Sequence, residues 1–309
     1  MLKGTWENAE PVIKMIIFWG LILVCSAIFS LGGVALCSVV FGTDMMTTSM
    51  AISNLNDPQS VSILKFLQIA SQLGMMIFPA LITAWIFSQK PWVYLNAEKS
   101  GSFGNYALVL VMMLAAAPLI NYLIELNSHL QLPSALKALE DKMRAMEDEA
   151  AKITEVFLAM KTRQDLWMNL LMIGLLPAVG EEFLFRGILQ RILKDMTGNK
   201  HFAVWISAIL FSAIHMQFFG FIPRMLLGVF FGYLLIWTGS IWIPVFAHFV
   251  NNASAVLVTY FQQHHGLSIN PDTIGTEAGQ GWMILVSVLV LGGGMVFMGR
   301  KSIMNKTMQ

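Results

Sequence analysis

The sequence predicts an all-α polytopic membrane protein with about eight transmembrane helices and one charged amphipathic insert. Three observations carry this. Of 309 residues, 56% are hydrophobic, and the mean hydropathy is +0.67. Only 12% are charged, about half the roughly 25% of ordinary soluble domains. Apolar runs of about 20 residues, the length that crosses a hydrocarbon core, recur along the chain. Backbone groups in lipid must be satisfied internally, so such runs are helices or barrel strands. Runs this long without polar alternation are helices. The net charge of +1, from 19 Lys and Arg against 18 Asp and Glu, excludes a basic nucleic-acid surface and an acidic tail.

Eight segments follow in order: about 14–41, 62–87, 105–125, 166–190, 202–219, 222–238, 240–261 and 281–299. The first is too long and too late for a secretory signal and is expected to be a retained helix. It holds both cysteines, Cys25 and Cys37, about 18 Å apart at 1.5 Å per helical residue, too far for a mutual disulfide. The boundary between the sixth and seventh is the weakest, with only Thr238, Gly239 and Ser240 between them. The chain is expected to be one membrane domain over 1–309, with a charged insert at 126–165 and a core at 166–261.

Residues 137–165 hold 13 of the 37 charged side chains. Through them runs a stripe of Leu136, Leu139, Met143, Met146, Ala150, Ile153, Phe157 and Met160. Its alternating spacing of three and four is a heptad seam. Glu140 with Arg144 and Asp148 with Lys152 are i,i+4 pairs. The stripe predicts a surface helix lying on the membrane domain; a gate or docking helix for a substrate is the sharper alternative.

Lys and Arg near helix ends set orientation. They flank the N-terminus (Lys3, Lys14) and follow the second (Lys90, Lys99), fourth (Arg191, Lys194, Lys200) and eighth segments (Arg300, Lys301, Lys306), whereas 42–60 and 263–280 have none. With eight helices both termini are cytoplasmic. The insert then falls outside, its six basic residues balanced by seven acidic ones.

Ionisable residues inside apolar segments are costly and mark functional sites. Three segments carry them. The fourth holds Glu181, Glu182 and Arg186 after Pro177; the fifth holds His215, four residues after Phe211; the seventh holds His248, Asn251 and Asn252. Glu182 and Arg186 lie one turn apart and can pair, which lowers the cost of burying either. Glu181, about 100° round the helix, points elsewhere. His248 and Asn252 share a face. Pro177 loosens the helix before the acidic pair, freeing carbonyls.

A carboxylate, two imidazoles and an amide in one cavity suit hydrolysis of an amide bond. The carboxylate accepts a proton from water, an imidazole orients that water or passes the proton on, and imidazole and amide N–H groups hold an oxyanion. Glu181, His215 and His248 are also a plausible metal-ligand set, so the cofactor stays open between a divalent metal such as zinc and none. Asn251 reads equally as a bond between helices, His129, His201, His264 and His265 as solvated, and Gly292, Gly293 and Gly294 as a close-packing site. Two other classes compete: a non-catalytic scaffold that binds a partner, and a proton-coupled carrier, although no inverted repeat or paired broken helices are seen.

At these three motifs the sequence resembles the CAAX prenyl protease and bacteriocin-processing (CPBP) family of intramembrane proteases. The family pattern is Glu-Glu-x-x-x-Arg, Phe-x-x-x-His and His-x-x-x-Asn, matched in order by Glu181-Glu182 with Arg186, Phe211 with His215, and His248 with Asn252. The resemblance implies an endopeptidase with a water-filled cavity in the bilayer, here expected in a bacterial inner membrane. It implies Glu181 as the base, His215 as its assistant, His248 and Asn252 as oxyanion stabilisers, and Glu182 and Arg186 as supports. Its substrate would be a membrane-associated protein or peptide, and its surroundings the lipid bilayer. The family has been called metalloproteases, with the metal requirement unsettled.

Overall fold

The computed structural model describes residues 2–51, 54–266 and 273–307, which contain helices and no strand. In chain order the long elements are α1 Pro11–Phe41, α2 Pro58–Phe87, α3 Phe103–Ser128, the insert helix α4 Lys137–Leu158, α5 Arg163–Thr197, α6 Lys200–Ala213, α7 Phe221–Thr238, α8 Trp242–His265 and α9 Gly281–Thr307. Seven of them, all but α4 and α6, are long and apolar enough to cross a membrane. Residues 52–53 and 267–272, within the expected outer loops, lie outside the described residues.

Local chemistry sets the ends. Asp57 caps α2 by accepting from the Ser60 N–H at 2.8 Å, with Pro58 in its first turn. Thr162 and Asp165 form a reciprocal capping box at the start of α5, satisfying two orphan donors. Asn199 caps α6. Gly239, left-handed at φ 66°, ends α7, and so short a turn into α8 needs a residue without Cβ.

α5 is the centre. In its most apolar stretch 61% of the residues are buried inside the protein, against 17% in α1 and in the apolar part of α9. It carries every ionisable residue of the first motif, so the fold buries the expensive side chains among protein rather than lipid. Cys25 and Cys37 are free and buried.

The expected fifth segment is shorter than its hydropathy suggests. Its helix, α6, stops at Ala213 after 14 residues, about 21 Å at 1.5 Å each, against a hydrocarbon core of about 30 Å. Hydropathy cannot register this stop; the chain turns just beyond it, where Met216 is left-handed at φ 54°.

Loop contacts nonetheless sort the connections to two ends, with α6 running between them. At one end the Gly4 N–H donates to Trp85 O, Ile241 N–H to Asn96 O, and Arg191 to Tyr94 O. At the other, Gln59 donates to Phe41 O, Asn121 to Ile274 O, Asn127 to Phe218 O, and Gln263 to Leu158 O. The expected basic loops fall at the first end and the expected outer loops at the second.

The insert is helical, as its stripe predicts, but the stripe is best covered at its C-terminal end, with Met143 and Met146 half-buried. Phe157 and Ile153 pack with Leu64 of α2 and Met172 of α5, and Met160 is buried. Leu136 and Leu139 remain exposed, so no seam runs the whole length. Glu140 and Arg144 pair at 2.9 Å, whereas Asp148 and Lys152 form no ion pair. Of the three successive glycines of α9, a Cβ would meet a neighbour, Met112, only at Gly294; Gly292 and Gly293 face open space, so close packing is confined to one of the three.

Candidate active site

The site begins with a defect in α5. Proline has no N–H to offer the carbonyl four residues earlier. For Pro177 that carbonyl belongs to Ile173, and the helix widens into a π turn over Leu170–Leu175 just before it. A second π segment, Glu182–Leu189, follows. The Ile173 carbonyl is satisfied from another helix, accepting from Asn252 Nδ2 of α8 at 3.1 Å. Asn252 Oδ1 in turn accepts from Asn251 Nδ2 at 3.1 Å. A primary amide has two N–H donors, so one on Asn252 remains.

The acidic pair is joined through one imidazole. Arg186 Nη1 donates to Glu182 Oε1 at 2.9 Å, and Arg186 Nη2 to Gly228 O at 3.1 Å. Both side chains of this pair are fully buried. His248 Nδ1 lies 2.9 Å from the same Glu182 Oε1, while its Nε2 lies 3.8 Å from Glu181 Oε2. The expectation that Glu181 points away from Glu182 is therefore refined: the two carboxylates reach opposite nitrogens of His248. An ionised carboxylate only accepts, so Nδ1 carries a proton and Nε2 is the nitrogen turned to Glu181. Glu182 Oε2 is buried without a hydrogen-bond partner, so its charge is balanced through Oε1 alone.

Aromatic rings set the remaining geometry. His215 Nδ1 lies 2.8 Å from Phe211 O; a carbonyl only accepts, so this nitrogen donates and Nε2 keeps its lone pair. The Phe211 ring meets both imidazoles edge-on, at 5.1 Å from His215 and 6.0 Å from His248. The Arg186 guanidinium lies 4.5 Å from the same ring, a cation–π contact. Phe231 of α7 stacks on His248 at 5.3 Å.

Glu181, His215, His248 and Asn252 all line one cavity of about 340 Å³, with Asn251 and Arg224 on its wall. The expected site residues thus come together, and Glu182 and Arg186 stand behind them. The motifs do not include Arg224, which carries the same sequence signal as Arg186, an ionisable residue within an apolar segment. Phe231 and Gly228 carry none. At Gly228 a Cβ would sit 3.1 Å from Arg186 Nη2 and 3.2 Å from the Phe211 ring.

Among the described residues no three His, Cys, Asp or Glu side chains form a group that could hold a metal ion. The set Glu181, His215 and His248 does not fit a metal site in this arrangement.

Residues 163–254 match the family model described as type II CAAX prenyl endopeptidase Rce1-like. This Rce1-like segment runs from the start of α5 into α8 and contains all three motifs, so the resemblance read from them holds there. It makes the chain similar to CAAX-type intramembrane proteases, and the seven apolar helices make it an integral membrane protein. A stretch of 89 residues is 30% identical to an uncharacterized protein, YpbD, of Bacillus subtilis (strain 168). That match covers 28% of this chain and 42% of YpbD. No solved structure matches the chain.

Proposed function

We propose that the protein is an intramembrane endopeptidase that hydrolyses a peptide bond of a membrane-associated protein or peptide. The observation that carries this is the convergence of Glu181, His215, His248 and Asn252 on one cavity enclosed by apolar helices, within the Rce1-like segment. Glu181 is the general base and His215 Nε2 orients the attacking water by accepting its second hydrogen. The water proton passes to Glu181 while its oxygen bonds to the carbonyl carbon. The carbonyl π electrons move to oxygen, where the free amide N–H of Asn252 receives the charge together with Nε2–H of His248, which serves as the imidazolium with its Nδ1–H on Glu182. Preorganised donors of this kind act strongly in a water-excluded site. On collapse the C=O bond reforms, the C–N bond breaks, and the proton on Glu181 goes to the leaving nitrogen. Glu182 and Arg186 hold His248 in place.

The two-ended arrangement of loops supports eight passes, with α6 as the short one and both termini cytoplasmic. Reporter fusions at Lys90, Lys194 and Lys301 should then read cytoplasmic, and a fusion in the insert outside; a cytoplasmic insert overturns this orientation.

The test of function is cleavage of a membrane-tethered peptide library by the purified chain in lipid nanodiscs. Glu181→Gln and His215→Ala should each lower the rate by about 100-fold or more, as removal of a general acid–base group does. Near-normal turnover by Glu181→Gln overturns the assignment.

A further inference from the structure

The segment from Ile214 to Gly220 carries His215, joins α6 to α7 and lies at the end of the bundle where Asn127 meets Phe218. Backbone N–H and C=O groups outside a helix need other partners. Here two side chains from outside the segment supply them, and a third packs on one of its rings. Asn127, at the end of α3, donates to Phe218 O at 2.9 Å. Glu147 of the insert helix accepts from the Phe219 N–H at 3.0 Å. Arg144, one turn earlier on α4, lays its guanidinium over the Phe219 ring at 4.0 Å.

Arg144 is itself fixed, donating to Glu140 Oε1 at 2.9 Å and to Leu130 O at 3.2 Å. The consequence reaches the cavity from both sides of the segment. On one side is His215, followed directly by the left-handed Met216. A methionine takes that conformation only where its surroundings impose it. On the other is Arg224, which donates to Gln217 Oε1 at 2.6 Å and lines the cavity.

We propose that the charged insert is a clamp on the His215 loop, and that Glu147 and Arg144 are positioning residues for the reaction, holding Phe219 so that His215 and Arg224 face the cavity. The N-terminal half of α4, where Leu139 is exposed, is thus held by polar contacts to the loop. The proposal rests on the proteolytic reading for its effect on rate, but the clamp is a structural claim that can be read without turnover.

The experiment uses the full chain in lipid nanodiscs, with hydrogen exchange of peptides spanning 214–221 measured beside kcat and KM for a cleaved peptide. Glu147→Ala should speed exchange in that segment, leave α1 and α9 as in the wild type, and lower kcat between about 10- and 100-fold, the effect of misplacing a catalytic group by about an ångström. KM should change little. Glu147→Gln keeps a carbonyl acceptor for the Phe219 N–H and should restore both exchange and kcat. Lys152→Ala, exposed on the same helix, is the control. Unchanged exchange at 214–221 in Glu147→Ala overturns the clamp, as does a Glu147→Gln variant as impaired as Glu147→Ala. Faster exchange with unchanged kcat overturns the positioning role. If the wild type cleaves nothing, the proteolytic reading fails, while the exchange data still decide the clamp.

Discussion

Asn252 contributes to the fold through a carbonyl that Pro177 leaves without a backbone donor, and this dependence can be measured. Asn252→Ala removes the donor 3.1 Å from Ile173 O and strands a carbonyl inside the bundle. A stranded buried acceptor costs about 1–3 kcal/mol. Hydrogen bonds between membrane helices average about 0.6 and reach about 1.7 kcal/mol, so a loss of about 1–2 kcal/mol is expected. Pro177→Ala supplies a backbone N–H that can serve Ile173 O by itself. In that background Asn252→Ala should cost distinctly less, giving a coupling of about 1 kcal/mol, within the usual range for residues sharing a partner. The assay is reversible unfolding in mixed detergent micelles of the wild type, both single variants and the double variant. Equal costs of Asn252→Ala in the two backgrounds would refute the idea that Asn252 compensates for the proline.

Three further outcomes are expected. Arg186→Ala should destabilise by about 3–5 kcal/mol, the cost of stranding one member of a buried pair, because Glu182 is balanced through one oxygen only. Glu182→Gln combined with Arg186→Gln should cost less, and a melting comparison in which the double variant is the weaker contradicts this. Gly228→Ala places a methyl 3.1 Å from both Arg186 Nη2 and Ala208 Cβ. It should cost about 1–3 kcal/mol by overpacking and lower cleavage, and wild-type melting and rate together would contradict it. Finally, the Arg144 hydrogen bond, helped by the Leu132 N–H, holds the Glu140 carboxyl below its ordinary value of 4.5. Its stabilising contribution is therefore complete above that pH and is lost as pH falls through the lowered value. Hydrogen exchange at 130–147 should rise in that acid window in the wild type and show no such step in Glu140→Gln.

The approximate number of apolar segments, the helical class and the side chains that converge on the cavity were all legible in the sequence. Lipid makes this possible: an ionisable group in an apolar run is so expensive that its presence alone is informative. Thus Glu181, Glu182, Arg186, His215 and His248 could be picked out one by one, and Glu182 could be paired with Arg186 because four residues make one turn. The amphipathic insert was legible for the same reason of periodicity. What periodicity cannot express is a contact between distant residues. His248 meets Glu182 across 66 positions and Asn252 meets Ile173 across 79, and these contacts decide which imidazole nitrogen faces Glu181 and which amide hydrogen stays free. The early end of α6 and the grip of Glu147 on Phe219 belong to the same class. Each depends on a backbone group left unsatisfied by its own helix, and only the packing of other helices determines which side chain supplies the missing partner.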